Sequence, residues 1–453
     1  MKFWLGDNKM NEKNVELLND AVDYAKTQCD QAEFIISSSD SFSLSTFNEE
    51  IDKYNINQGN TVGVRVIHDG KVGISYSEQL TKESLQEIVQ IAKVNSTFAK
   101  NSPHEKIQGS GKLINDDAHN QQSETTSNED KIKFGVELEQ SIKSKDARIK
   151  SSPYNGVSES SSERYSMNTT GLFTFEKSQL TSCYTSCLME DGEKNGMHYH
   201  SSIARNFKDL DSENCVEESY RRTIQLLEAK PIESGKYDLI FPTDNLAELL
   251  GVFGIVFSGK ATVDKTNPWK DKLGELVASP LMTIKDIPQY KDAFHRYMFD
   301  DEGIEHRELA LIENGKLNSF YHNSATASEL GLENTGHASR STKGGLGTGG
   351  TNKVILPGTT SESDLTSTPY LEIFAFQGLH SGADAISGDF SFAASGVLHK
   401  NGEEVPFKGV TLSGNFNKLI NSVAGVGAKV HANSSRGFFA PMIRFEGQSI
   451  AGI

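Results

Sequence analysis

The chain has 453 residues, of which 36% are hydrophobic, with 45 Lys+Arg against 61 Asp+Glu and a formal net charge of -16. This length exceeds the usual limit of about 250–300 residues for a single core, so two or three domains are expected. The acidic balance argues against nucleic acid as a partner, because no run of Lys and Arg offsets the repulsion of a phosphate backbone. The first residues, Met1-Lys2-Phe3-Trp4-Leu5-Gly6-Asp7, turn polar before a signal-peptide core forms, and Gly251 and Gly254 interrupt the longest later apolar run. Neither an export signal nor a membrane partner is expected. Cys29, Cys183, Cys187 and Cys215 are few and scattered, which suits a reducing, cytoplasmic setting. Cys183 and Cys187 are the closest pair, lack a second pair at zinc-ribbon spacing, and read as free thiols.

In chain order, residues 12 to 29 place Val15, Leu18, Val22 and Ala25 at three- and four-residue spacing, which predicts a helix with one apolar face. From Ala32 the period changes. Glu33 to Tyr76 alternates, with turn signals at Gln58-Gly59-Asn60 and His68-Asp69-Gly70, and reads as an antiparallel meander. A helix follows at about Lys82 to Lys93, with Leu85, Ile88, Val89 and Ala92 inward. Residues 101 to 130 are polar and read as a linker or long exposed loop. Ser127, with Asp130 three positions on, predicts a capped helix running to about Ser144. Ser-rich alternating segments, turning at Asn168-Thr169-Thr170-Gly171 and continuing through Tyr184 and Tyr199, read as strands with one wet face. A charged helix from Ser212 to Ala229 stops before Pro231. Tyr237 to Phe241 reads as a short buried strand, Thr243 to Phe257 as a helix, and the chain after Pro268 as strands and glycine-rich turns. The fold class is therefore α+β: an N-terminal α+β domain with its linker over 1–120, a middle α+β domain over 121–230, and a large β-rich C-terminal domain over 231–453.

The helix from Thr243 carries Leu246, Leu249, Leu250, Phe253, Val256 and Phe257 at helical spacing, which predicts a core element. Thr243 and Asp244 are expected to cap it, and close packing at Gly251 and Gly254 to offset their helix cost of about 1 kcal/mol each. His198 and His200 share a strand face but have no evident third ligand, and His104-Glu105 lacks a second histidine at useful distance. Asp300-Asp301-Glu302 before Gly303 reads as a turn whose carboxylates bind backbone amides. Ser395-Gly396 and Ser413-Gly414 look like strand-end turns rather than nucleophile elbows. The string Lys343 to Asn352 is glycine-rich, yet it lacks the Gly-Lys-Ser/Thr ending of a phosphate loop. Its glycines permit close approach of another backbone, so it is read as lining a cavity or letting a peptide lie against a sheet edge.

Several spaced runs agree in order with one family: Gly274-Glu275-Leu276-Val277-Ala278-Ser279, Phe299-Asp300-Asp301-Glu302-Gly303, Leu311-Ile312-Glu313-Asn314-Gly315, Ser387-Gly388-Asp389-Phe390-Ser391 and Gly396 to Gly402. Together they resemble the TldD/PmbA family, whose TldD-type members are zinc peptidases with His-Glu-x-x-x-His on the helix that is apolar here. Aligned on the run at Gly274, the resemblance places the two histidines at Leu250 and Ile255 and the glutamate at Gly251. The family's remaining ligand is a cysteine near the C-terminus. No Cys follows Cys215, and Lys429-Val430-His431-Ala432 stands in the corresponding region. No catalytic residue, metal ligand or cofactor is therefore assigned to this chain, and zinc is expected only in a TldD-like partner. Thr335-Gly336-His337-Ala338 is similar to a run of PmbA-type members, and His337, Arg340, Gly344 and Gly345 are the candidate peptide or cavity contacts.

The resemblance implies a non-catalytic PmbA/TldE-like subunit, inactive alone, of a heterodimeric protease acting on unfolded peptides. The family's older label, modulator of DNA gyrase, describes an indirect effect. One alternative is a homodimeric peptide-binding scaffold without a protease partner. Another is an autonomous peptidase with a site rebuilt around His337, Asp389 and His431.

Overall fold

A computed structural model describes residues 11–115 and 126–453. The first part of the chain builds one eight-stranded sheet from β1 (Gln31–Phe47), β2 (Glu50–His68), β3 (Lys71–Ser77), β4 (Gly111–Asn115), β5 (Ile149–Ser151), β6 (Asn155–Asn168), β7 (Leu172–Asp191) and β8 (Lys194–Ala204). The order β3-β2-β1-β6-β7 continues into β4, β5 and β8, all of which pair with β7. The expected division near residue 120 does not separate two sheets, because β1 and β6 pair from Glu33↔Asn168 to Ser45↔Gly156. The two sequence segments on either side of that division share one sheet.

Strand alternation gives this sheet two faces. Phe34, Ile36, Val62, Val64 and Val66 pack under α1 (Glu12–Ala25) and α2 (Lys82–Phe98), whose apolar stripes include Leu18, Val22, Leu85, Ile88 and Val89. Val157, Cys183, Cys187 and Met189 pack under α3 (Asn128–Lys143) and α4 (Ser212–Glu228). Asn11, Thr81, Ser127 and Asp211 cap these four helices by accepting from backbone N–H groups in their first turns. The expected first helix ends four residues early, at Ala25, and the second runs five residues longer, to Phe98. Residues 105–115 of the expected linker are packed into the fold. Glu105 pairs with Arg65, Ile107 is buried, and β4 runs parallel to β7; residues 116–125 lie outside the described residues.

The other face carries Glu33, Ile35, Arg65, Arg164 and Ser166, and it is covered by the C-terminal part rather than by water. The expectation of a wet strand face therefore fails at the sheet's centre, where ion pairs replace solvent. That C-terminal part is a ten-stranded sheet. Its strands are β9 (Gly235–Ile240), β10 (Ile284–Asp286), β11 (Leu309–Glu313), β12 (Lys316–Leu317), β15 (Lys353–Ile355), β16 (Tyr370–Gln377), β17 (Asp389–Lys400), β18 (Glu403–Asn415), β19 (Val423–Ala432) and β20 (Phe438–Ala451). A separate hairpin pairs β13 (Ala338–Ser339) with β14 (Gly347–Thr348). Because β9 pairs with both β16 and β20, the strands β9-β16-β17-β18-β20 close on themselves. Closure leaves these strands no free edge, and Phe392, Phe407, Leu412 and Phe445 lie in the enclosed core.

The opening helix of this part is α5 (Thr243–Val252), shorter than expected. The chain leaves α geometry at Phe253 and continues as a 3-10 turn over Gly254–Phe257. Two short helices, α6 (Gly259–Val263) and α7 (Ser324–Leu330), flank the hairpin; α8 (Glu362–Leu365) and α9 (Phe416–Asn421) lie between the later strands. Asn323 closes a capping box on α7 and Gly331 ends it with φ 66°, a conformation that favours glycine.

Candidate functional site

The helix that would carry a family metal site is built for packing. Leu246, Leu249 and Leu250 enter the main C-terminal core, and Phe253 stacks on Phe416 with ring centroids 4.5 Å apart. The expected caps do not form: Pro242 precedes the first turn without a side-chain bond. Asp244 reaches instead to the loop before β20, where its carboxylate accepts from Ser434 N at 2.8 Å and Ser434 Oγ at 2.9 Å. The expected close packing at the glycines is also absent, since a Cβ at Gly251 or Gly254 would meet nothing within 4 Å. Leu250 is buried, Gly251 is exposed and Ile255 is half-buried, and none offers an atom that binds a metal or moves a proton. These residues do not fit zinc. Among the described residues, one group of three possible ligands converges, Asp30, His68 and Asp69, beside the start of β1 and in the β2–β3 turn. His337, Asp389 and His431 do not converge: Asp389 accepts from Asn415, and His431 stands 3.3 Å from Glu362.

The polar chemistry collects at Asp286, the last residue of β10, which is fully buried. Its carboxylate accepts from Tyr321 OH at 3.0 Å, from Thr351 N at 2.7 Å and from the Thr351 hydroxyl. His337, also fully buried, puts Nε2 3.4 Å from the same carboxylate and Nδ1 2.7 Å from the Thr335 carbonyl. Burial alone would raise the Asp286 carboxyl, but His337 and Thr351 outweigh it and hold the group below its usual range. Gly350 admits this cluster, because a Cβ there would collide with the Tyr321 hydroxyl and the Asp286 carboxylate. Cross-strand from Asp286, Lys353 stands 5.3 Å from the Phe257 ring; burial lowers its ammonium and Asp286 opposes that shift.

The run Asp300-Asp301-Glu302 behaves as read from the sequence. Asp300 accepts from the amides of Glu302, Ile304 and Ala338, each at 2.9 Å, and Glu302 accepts from both the amide and the hydroxyl of Ser324. Burial pushes Asp300 up to about 6 and Glu302 up to about 7. Burial likewise pushes His306 and His322 down to about 4.

The hairpin β13-β14 docks on the ionic face of the N-terminal sheet. Arg65 donates to Glu33 at 2.6 Å, Arg340 Nη1 stands 3.2 Å from Glu33, and Arg164 pairs with Asp301 at 2.8 Å. Burial raises Glu33 in isolation, but Arg65 and Arg340 hold it below its usual value; burial pushes Arg340 down to about 10. Gly63 lets β2 touch the backbone of Thr342 directly, where any Cβ would overlap its carbonyl. Beside it, Lys343 pairs with Glu78 at 3.0 Å and lies over the Tyr76 ring. Of the four candidate contacts, His337 and Arg340 are thus buried in the fold, Gly344 is half-buried against Ser341, and Gly345 is exposed with open space around it. A cleft of about 330 Å³ opens nearby, lined by Arg164, Glu176, Lys177, His295 and Tyr297, with burial pushing Glu176 up to about 7. His198, by contrast, packs edge-on against Phe374, and His200 faces Asn214 at 3.2 Å.

Sequence reasoning missed Asp286, Tyr321, Thr351, Glu33 and Arg65. One signal was present: Arg65 is flanked by Val62, Val64, Val66 and Ile67, and a charge inside an apolar strand requires a buried partner.

Residues 32–96, 122–227 and 234–452 match, in order, domain 1, the central domain and the C-terminal domain of the PmbA/TldA metallopeptidases. The chain belongs to the PmbA/TldD family. It is similar to the metalloprotease PmbA of Escherichia coli O157:H7, 23% identical over 428 residues that span 93% of this chain and 92% of that one. It is also similar to a metalloprotease of Methanocaldococcus jannaschii, 26% identical over 441 residues and 92% of each chain. Among solved structures, a protein of Thermotoga maritima described as a modulator of a DNA gyrase superposes with a TM-score of 0.86 at 26% identity, covering 96% of this chain and all of the other. TldE from Thermococcus kodakarensis superposes with a TM-score of 0.81 at 22% identity, again over 96% of this chain and 100% of that one, a likeness of fold.

Proposed function

We propose that this chain is a non-catalytic, PmbA/TldE-like subunit of a cytoplasmic TldD/TldE-type metalloprotease that processes unfolded peptides. In this reading zinc is held by a TldD-like partner in a heterodimer. The observation that carries it is the chemistry of Leu250, Gly251 and Ile255, three positions from which a peptidase site would have to be built and which supply neither ligand nor base. Relatives named TldD homologues, such as one from Buchnera aphidicola that is 27% identical over 234 residues, support a division of labour between two kinds of chain. No helix among the described residues is long and apolar enough to cross a membrane. The homodimeric scaffold is the second reading, since nothing in α5 requires a catalytic partner.

Co-purification from the native cell, with zinc analysis and digestion of an unfolded peptide, tests the proposal. The expected result is a complex with a TldD-like chain that contains zinc and cleaves, while this chain alone does neither. Stoichiometric zinc with cleavage by this chain alone would overturn it, and recovery of homodimer only would favour the scaffold. The double substitution Leu250→His with Ile255→His is expected to give no zinc-dependent cleavage, because position 251 still lacks a carboxylate.

A further inference from the structure

Independently of that reading, the fold brings together two cysteines that lie 32 positions apart. Cys183 on β7 and Cys215 near the start of α4 are both fully buried, with their Sγ atoms 3.8 Å apart. Cys183 and Cys187, the two closest in sequence and read as free thiols, are not the pair in contact. Cys187 lies four residues along β7, where its carbonyl accepts from Thr223, and Cys29 stands at the end of α1 beside the Ala25 and Gln31 carbonyls. A disulfide needs sulfurs about 2.05 Å apart, and the strand and helix that carry the two cysteines are already in contact.

We propose that Cys183 and Cys215 are a reversible oxidation site, forming a disulfide that fixes α4 to the sheet when the protein meets hydrogen peroxide. The contact with Cys215 lowers Cys183 from its ordinary value, which favours Cys183 as the sulfur that reacts first; the product is the same disulfide if Cys215 does. The Cys183 thiolate attacks one peroxide oxygen and the O–O bond breaks, leaving a sulfenic acid and a hydroxide that takes up the thiol proton as water. The Cys215 sulfur then attacks the sulfenic sulfur, the S–O bond breaks, and the hydroxyl leaves with the Cys215 proton as a second water. Two thiols are oxidised and one peroxide becomes two waters. Because neither sulfur is exposed, the step waits for local opening at the start of α4. The consequence reaches beyond the helix. On α4, Arg222 pairs with Glu372 on β16 and lies over Phe374, so the bond also stiffens the seam with the C-terminal part.

The test uses the full chain, reduced, freed of reductant, treated with a small excess of hydrogen peroxide and alkylated before non-reducing peptide mapping. The expected result is a Cys183–Cys215 linked peptide, loss of two of the four thiols, slower hydrogen exchange over 212–228, and reversal by dithiothreitol. Closure of a loop of this length is worth about 3–4 kcal/mol, so a rise in Tm of about 6–16 °C should accompany it. Cys215→Ser should abolish both the link and the rise; should that variant fail to fold, Cys187→Ser must still form the link. Complete oxidation of half-buried Cys29 while Cys183 and Cys215 stay reduced would overturn the proposal, as would a Cys183–Cys187 bond.

Discussion

Replacing Asp286 tests whether the buried hub carries stability. In Asp286→Ala the hydroxyl of Tyr321 and both donors of Thr351 lose their acceptor, and a small cavity remains. Each buried donor left unpaired costs about 1–3 kcal/mol, and hydroxyls that rotate to other acceptors recover part, so a loss of about 4–5 kcal/mol is expected. Asp286→Asn keeps the shape and one oxygen. Turned to accept from Tyr321 OH and Thr351 N, it presents its NH2 to the Thr351 hydroxyl, which can accept, and the expected loss falls to about 2 kcal/mol. If residues 234–452 unfold as one unit, each kcal/mol moves Tm by about 2–4 °C, so calorimetry should show drops of about 4–8 °C for Asn and at least 8 °C for Ala. The effect depends on pH. A carboxyl held below its unfolded value stabilises fully above about pH 4 and loses that contribution as pH falls through the folded value. The gap between wild type and Asp286→Asn should therefore be complete at pH 6 and shrink below about pH 4. An Ala variant within 2 °C of wild type, or one more stable than Asn, would refute the reasoning.

Glu302 has the opposite sign. Its folded value of about 7 lies above the unfolded one, so its contribution is full below about pH 4 and lost as pH rises through 7. Glu302→Gln should flatten the loss of stability between pH 5 and pH 8, measured by urea unfolding, at a neutral-pH cost of about 1 kcal/mol or less. Gly63→Ala should destabilise by about 3 kcal/mol or more, because β2 and the Thr342 backbone must separate, and limited proteolysis should then cut within 340–347. Gly251→Ala should stabilise by about 0.5–1 kcal/mol, since the position is helical, exposed and open; a loss of stability on thermal melting would show that the open face is packed.

Local features were legible from sequence and long-range ones were not. Ser127 with Asp130 signalled the cap of α3, and the alternation from Glu33 onward signalled β1 and β2, because side-chain period and capping act within a few residues. Gly251 and Gly254 were read as sites of close approach, yet they face open space, whereas Gly63 is the true close approach and resembles any weak strand position. Asp286 ends a three-residue strand and gives no local sign that Tyr321, His337 and Thr351 converge on it. That Leu250, Gly251 and Ile255 carry no donor atom is readable from the sequence directly, because side-chain identity needs no fold to be noticed. The burial of His337 and Arg340 is not, since it depends on a hairpin docking across a distant sheet.

The pairing of β1 with β6 has a consequence for synthesis. The β1-β2 hairpin is complete at His68, but the strand that covers the other edge of β1 ends at Asn168. At about 5–20 residues per second, a ribosome leaves that edge unpaired for roughly 5–20 s. Through the middle of the exposed edge runs Ser37-Ser38-Ser39-Asp40-Ser41, a polar stretch between Phe34-Ile35-Ile36 and Phe42. Serines that would weaken a finished sheet serve an emerging one, because a waiting edge of this composition is a poor template for pairing with a neighbouring nascent chain.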